Sequence, residues 1–166
     1  MPAATKQIVY ADTHAKGNWS EFPDGVEAHQ LGTCSVIAVV NEEGFMLFNV
    51  SSDGPRECAA AKKMCELYER EKGRFGNKEV YLWIVYAQEN AHKGQQIKYY
   101  TGKIEPLKIY EQVYDGESFM RPSGEAGVQV CLKLVDGTVV ATLRPQAGDG
   151  SSTELSGDGT TVVWSI

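Results

Sequence analysis

Hydrophobic residues occur in short runs along this 166-residue chain, and the spacing within the runs differs from one segment to the next. Residues 34–40 form a continuous, largely β-branched stretch, and apolar residues fill both alternating sets of positions in 79–88. Strands with two apolar faces are covered on both sides, so both segments are expected inside a sheet. Residues 45–51 are expected to pair with 34–40 as a hairpin, through an Asn-Glu-Glu-Gly turn at 41–44.

A helical period replaces the strand pattern between residues 55 and 72. A Pro follows a Ser-Asp-Gly sequence at its start, and Lys72-Gly73 stands at its end, as is typical of helix termini. Charged residues occupy one face of this segment, and the spacing predicts an amphipathic helix over 55–72. The apolar face carries four residues at the i, i+3, i+4 and i+7 positions, namely Ala61, Met64, Cys65 and Tyr68.

Five further segments have the residue content of strands, and Asp136-Gly137 between two of them is typical of a two-residue hairpin turn. The polar segment 14–30, which contains Gly and Pro, is interpreted as a loop or an irregular edge segment, and the state of 90–103 stays open. The whole pattern predicts an α+β fold, a mainly antiparallel β-sandwich or half-barrel with one amphipathic helix (55–72). The five segments are 6–11, 107–114, 128–135, 138–143 and 161–166.

Length and composition narrow the class of protein. A chain of 166 residues with 42% hydrophobic residues has the size of one domain, expected to span 1–166, with the Gly-, Ser- and Asp-rich stretch 145–160 as a flexible loop. A net charge of −6 argues against a nucleic-acid-binding protein, which normally carries a basic surface. Neither a secretory signal nor a membrane-spanning apolar run is visible, so a soluble, cytoplasmic protein without membrane contact is expected.

Sequence motifs for cofactors and metals are absent. No Walker A sequence, dinucleotide-binding glycine fingerprint or H-E-x-x-H occurs, and the four cysteines include no C-x-x-C pair. We therefore expect neither a cofactor nor a metal. The remaining candidate for chemistry is Cys34, where a Gly-containing loop enters a buried strand. Backbone N–H groups at such a junction can lower the pKa of a thiol and form an oxyanion hole.

The order of motifs around Cys34 resembles that of the thiol glutamine deamidases, which include chemoreceptor deamidases and cytotoxic necrotizing factor-type toxins. A Gly-x-Cys sequence at 32–34 opens an apolar strand, and a turn, a second strand, a helix and a long strand follow within 30–88. In that family the Cys heads the first strand and a His lies on the returning strand. Fifteen residues after Cys34, where the His is expected, this chain has Asn49.

The resemblance implies covalent catalysis of carboxamide hydrolysis. The thiolate of Cys34 would attack the carboxamide carbon, ammonia would leave, and water would hydrolyse the thioester. Asn49 cannot accept the thiol proton, because an amide is not a base near neutral pH, so it would orient a water or bind the substrate. The base would then be His29, five residues before the thiol, or His92 or His14 from elsewhere in the chain.

Thr33 and Ser35, the two neighbours of Cys34, are the candidate substrate-binding residues, and the substrate would be a protein glutamine side chain or a small ligand. The missing His supports a second interpretation, a catalytically inactive relative that acts as an interaction partner. In a third interpretation, Cys34 is only a small apolar residue that heads a core strand.

Tyr99 and Tyr100 support a different class of function, a carbohydrate- or ligand-binding module of a lectin-like kind. They lie in a polar tract between Lys98 and Lys103, and exposed aromatic rings of this kind can stack on sugar rings. Trp19, in the early polar segment, is a second candidate for an exposed platform. Cross-strand packing on a hairpin is the structural alternative for the two tyrosines.

Overall fold

The computed structural model describes residues 4–31, 34–51, 54–87, 91–114, 128–145 and 161–164. These residues contain ten strands and two α-helices. The strands are β1 (Gln7–Val9), β2 (Thr13–Asn18), β3 (Val26–Leu31), β4 (Ser35–Val40), β5 (Gly44–Val50), β6 (Tyr81–Ala87), β7 (Lys108–Tyr114), β8 (Val128–Val135), β9 (Thr138–Pro145) and β10 (Thr161–Trp164). The helices are α1 (Gly54–Glu71) and α2 (Ala91–Thr101), followed by 3-10 turns at Lys72–Phe75 and Gly102–Ile104 respectively.

The strands form two five-stranded sheets, which we call sheet A and sheet B. Sheet A has the strand order β1-β3-β8-β9-β10, and sheet B has the order β2-β5-β4-β6-β7. Neighbouring strands are antiparallel except for β1 with β3 and β6 with β7, which are parallel. The predicted α+β class with a mainly antiparallel sheet arrangement is confirmed.

Two apolar clusters divide the described residues into three layers. One cluster fills the space between the sheets and receives Val36, Ala38 and Val40 from β4. The alternate residues of β4, Ile37 and Val39, belong to a second cluster that joins the other face of sheet B to the helices. Side chains of a strand point alternately to opposite faces, so β4 is apolar on both faces because sheet A covers one and the helices cover the other.

The predicted hairpin, helix and tight turn are confirmed. β4 and β5 pair antiparallel along the whole length of β4, and α1 begins and ends within one residue of the predicted bounds. The turn between β8 and β9 has φ angles of 49° at Asp136 and 79° at Gly137. Two consecutive positive φ angles are required by a type I′ turn, which explains the Asp-Gly sequence at this position.

The interpretation of 14–30 as a loop or an irregular edge segment was wrong for most of its residues. This segment contains most of β2, at one edge of sheet B, and most of β3, which lies between β1 and β8 in sheet A. Val26 and Ala28 of β3 face the inter-sheet cluster, and Glu27 and His29 face the opposite side. Apolar and polar residues do alternate in the sequence of β3, but its outward-facing residues are polar, so the segment resembles a loop in composition.

The segment whose state was left open contains a second helix, α2, in addition to the one predicted. It packs against α1 and β6, and Ile97 is its fully buried anchor in the helix-side cluster. Few apolar residues mark its inner face, so its helical period is weak in the sequence.

Two further predictions concern the loop at 145–160 and membrane-spanning segments. Residues 146–160, nearly all of the predicted Gly-, Ser- and Asp-rich loop, lie outside the described residues, so that loop stays a prediction. Neither α1 nor α2 is long and apolar enough to cross a membrane.

Candidate functional site

Cys34 lies directly before β4, at the end of sheet B where β5, β6 and β7 also end. Its backbone carbonyl accepts a hydrogen bond of 2.6 Å from the Tyr114 hydroxyl, and its half-buried thiol packs against the inter-sheet cluster. Burial raises the pKa of the Cys34 thiol, and the negative charges of Asp12 and Glu57 raise it further. The site therefore favours the protonated thiol, in contrast to the low-pKa junction that the sequence suggested.

Asn49 lies near the end of β5, opposite Val36 of β4, and it is fully buried. Its side-chain amide donates two hydrogen bonds, to the carbonyl oxygens of Val9 at 3.1 Å and His29 at 3.2 Å. Both carbonyls belong to sheet A, so this single side chain joins the ends of β1 and β3 to sheet B. Within the described part of the chain, the Asn49 Oδ1 atom has no hydrogen-bond partner.

Ser35 and Thr33 were the candidate binding residues beside Cys34. Ser35 is the first residue of β4 and is fully buried, and the alternation along the strand places it on the helix side, away from the inter-sheet cluster. Its hydroxyl has no hydrogen-bond partner among the described residues. Thr33 lies outside the residues that the structure describes.

The structure does not place the His29 imidazole on the side of sheet A that faces Cys34. The His29 ring is 6% exposed and lies on the outer face of sheet A, with Nε2 at 2.8 Å from the Glu27 carboxylate. His14, on β2, stacks on Phe48 on the helix side of sheet B. The side chain of His92, in α2, lies outside the described residues. Among the imidazoles that are described, none is bonded to the thiol.

A buried polar cluster on the outer face of sheet A was not predicted from the sequence. The Glu27 carboxylate is contacted by His29, by the Gln129 amide at 2.8 Å and by the Lys6 ammonium at 2.8 Å. Gln129 also donates to the Cys131 sulfur at 3.4 Å. Burial opposes ionisation of Glu27, but the hydrogen bonds and charges of His29 and Lys6 outweigh it and lower the pKa of Glu27 to about 2. The available signal in the sequence was the alternation of apolar and polar residues along β3, which places Glu27 and His29 on the same face of a strand.

A groove of about 430 Å³ opens between the edge strand β2, the end of β5 and helix α1. Asp12 lies at one end, where its carboxylate accepts hydrogen bonds from the Ser51 backbone N–H at 3.0 Å and the Ser51 hydroxyl at 2.7 Å, and the Arg56 guanidinium lies at 3.3 Å. The hydrogen bonds from Ser51 are the main cause of the lowered pKa of Asp12. The groove lining combines four apolar residues, which are Phe48, Val50, Ala59 and Ala60, with the cations Arg56 and Lys63 and the polar residues Thr13, His14 and Asn49.

The aromatic residues proposed as a stacking platform lie on α2 rather than on a hairpin. Tyr99 is 72% exposed, and its ring meets that of Tyr100 edge-on at 5.3 Å. Tyr100 packs against the helix-side cluster, with the ammonium groups of Lys62 and Lys103 at 4.8 and 5.7 Å from its ring centre. The Tyr100 ring is therefore already engaged by two cations of its own chain.

Trp19 is not an exposed platform, which corrects the second aromatic candidate. Its side chain is 4% exposed, packs on Phe45 and donates a hydrogen bond of 2.8 Å to the Asn41 carbonyl. A buried indole that satisfies its only donor in this way is a core residue.

No protein-family model matches this chain, and no curated protein is significantly similar to it. In the described residues, no group of three or more His, Cys, Asp or Glu side chains is arranged to hold a metal ion.

Proposed function

We propose that this protein is a ligand-binding module in which a site of the thiol-deamidase kind is catalytically silent. The observation that carries the proposal is the position of Asn49. The resemblance assigns a proton acceptor to this position, and the amide found there donates instead to two carbonyls of the opposite sheet. A side-chain amide that donates hydrogen bonds from one sheet to the other does not accept the proton of a nucleophilic thiol.

The state of the Cys34 thiol supports the same conclusion. An ordinary cysteine is only about a few per cent ionised at pH 7, and burial together with the charges of Asp12 and Glu57 moves the pKa of Cys34 upward from there. Catalytic cysteines are usually paired with a cation or a helix N-terminus that moves the pKa in the opposite direction. Here Glu57 occupies the first turn of α1 and opposes that effect.

The binding part of the proposal is supported by the groove between β2 and α1. Its volume of about 430 Å³ falls in the range of small-molecule sites, roughly 300–1,000 Å³. Its lining brings apolar side chains together with a few charged groups that could orient a ligand, as small-molecule sites do. The groove lies on the helix side of sheet B, whereas the Cys34 thiol faces the inter-sheet cluster.

Alkylation rates test the catalytic part of the proposal. Cys58 is a matched control, because it is also half-buried and is also a free thiol. We expect iodoacetamide at pH 7 to alkylate Cys34 no faster than Cys58, as followed by peptide mass spectrometry, because burial raises the pKa of the Cys34 thiol above its ordinary value and so reduces its thiolate fraction.

An ammonia-release assay with a glutamine-containing peptide complements the labelling. We expect equal, background release from the wild-type protein and from Cys34→Ala. Faster labelling of Cys34 than of Cys58, or release that disappears in Cys34→Ala, would contradict the silent site and support a thiol amidohydrolase.

A further inference from the structure

We propose that the groove between β2 and α1 binds a small organic monoanion with a flat apolar body, such as an aromatic carboxylate. This inference rests on the proposed binding function and specifies the ligand class. It is carried by three features of the groove, which are the apolar part of its lining, its charge balance and its aromatic wall.

The apolar part of the lining selects a ligand with a hydrophobic body. Phe48 and Val50 come from β5, and the adjacent residues Ala59 and Ala60 come from α1. The two alanines leave the space that longer side chains at these helix positions would fill. Burying apolar ligand surface in such a space contributes about 25 cal/mol per Å².

The charge balance at the rim selects a single negative charge. The Arg56 guanidinium and the Asp12 carboxylate form an ion pair at 3.3 Å, so their charges offset each other. Lys63 is exposed and forms no ion pair with any described residue, so among the described residues that line the groove its ammonium is the positive charge that is not offset. A carboxylate or sulfonate complements this charge with a charge-assisted hydrogen bond.

The wall beside Lys63 is aromatic. The imidazole of His14 lies on the ring of Phe48 with a centroid distance of 4.6 Å and an interplanar angle of 12°. Burial and the charges of Lys63 and Lys16 lower the pKa of His14, which favours the neutral ring at pH 7. An exposed, flat, neutral ring next to a cation fits an aromatic acid better than a hydrated inorganic anion.

The test is an NMR titration of the full chain with 1-naphthoate, and 1-naphthalenemethanol is the uncharged control ligand. We expect saturable shifts of the backbone amides of Phe48, Val50 and Ala60 with naphthoate, and affinity at least about tenfold lower for the alcohol because it lacks the charge. Absence of saturable shifts up to millimolar naphthoate, or shifts on the outer face of sheet A instead, would overturn the proposal.

Two adjacent lysines of α1 provide a matched pair of variants. Lys63→Gln is expected to weaken naphthoate binding about tenfold, whereas Lys62→Gln, whose ammonium lies over Tyr100, should leave it unchanged within about twofold. Ala59→Trp, an exposed position on the groove wall, should abolish binding by filling the groove. Equal losses in the two lysine variants, or undiminished binding to Ala59→Trp, would refute the assignment of the groove.

The two proposals fail in distinguishable ways. If naphthoate does not bind and Cys34 is unreactive, the ligand class is refuted while the silent thiol stands. If naphthoate binds and Cys34 reacts rapidly, the catalytic part of the proposed function is refuted while the groove stands.

Discussion

Replacing Asn49 by Ala tests the structural role that we assign to this residue in place of catalysis. The substitution removes both hydrogen bonds from the β5 side chain to the carbonyls of Val9 and His29. Because Asn49 is fully buried, water cannot readily replace the lost donors. The ends of β1 and β3 should then separate more easily from sheet B.

The expected loss of stability follows from three contributions. Two carbonyls that lose a buried donor cost about 1–1.5 kcal/mol each. The space left by the carboxamide adds roughly 1 kcal/mol. The substitution also removes Oδ1, a buried polar atom with no partner among the described residues, and this reduces the loss of stability by about 1 kcal/mol. The sum predicts that Asn49→Ala lowers the free energy of unfolding by about 2–3 kcal/mol.

Urea denaturation followed by tryptophan fluorescence and by circular dichroism measures this difference. A loss of this size lowers the urea midpoint by about 1 M when the urea dependence is about 2–3 kcal/mol per M. Gln112→Ala is the matched control, because it removes a side-chain amide whose hydrogen bond is exposed, and it should change stability by less than about 0.5 kcal/mol.

A second variant separates hydrogen bonding from packing. Asn49→Asp keeps the shape of the side chain but loses the two N–H donors, so it should be at least as destabilising as Asn49→Ala at pH 7. A loss below about 0.5 kcal/mol in Asn49→Ala, or a fully stable Asn49→Asp, would refute the idea that this amide holds the sheets together.

Two further predictions concern sheet A. Because the pKa of Glu27 is lowered from 4.5 to about 2 in the folded protein, its ionised form stabilises the fold above pH 4.5, and this contribution disappears as the pH falls toward 2. Urea titrations at pH 6 and pH 3 should therefore show that acid lowers the free energy of unfolding by about 2 kcal/mol more in the wild type than in Glu27→Gln. Equal losses in the two proteins would contradict the pairing of Glu27 with His29 and Lys6. Gly25 has a φ of 86°, and an added Cβ would overlap the carbonyl oxygen of Leu132. Thermal denaturation should show that Gly25→Ala lowers the free energy of unfolding by about 3 kcal/mol or more. Gly73 has open space around it, so Gly73→Ala should lower it by less than about 1 kcal/mol. Similar losses in the two variants would argue against the close approach at Gly25.

The candidate site was only partly predictable from the sequence. Hairpin pairing is local along the chain, and it predicts that Cys34 lies at the entry to β4 and that Asn49 lies nearby on β5. The direction in which each side chain points across the sandwich does not follow from local pairing. Only the docking of sheet A onto sheet B turns Asn49 toward two carbonyls and leaves the His29 imidazole on the outer face.

The groove and the Glu27 cluster were missed for the same reason. Each joins residues that are far apart in the sequence, such as Glu27 and Gln129, which are 102 residues apart. The segment 14–30, which supplies Glu27 and His29 to the cluster and most of β2 to the groove, is polar, and polarity by itself indicates an exposed loop as readily as the outer face of a strand. A search for the period of two within 26–31 would have found β3, but not its partner strand.

The sequence by itself determined the elements whose signal is local: the β4–β5 hairpin, the helix α1 and the Asp136-Gly137 turn. In these elements, apolar periodicity and backbone geometry act between residues close together in the chain. The tertiary structure alone decided which strands are neighbours, which face of each strand is buried, and hence what Cys34 and Asn49 are able to do. The physical reason is that side-chain ionisation and hydrogen bonding depend on the groups that surround a residue in space, and in this protein those groups come from the opposite sheet.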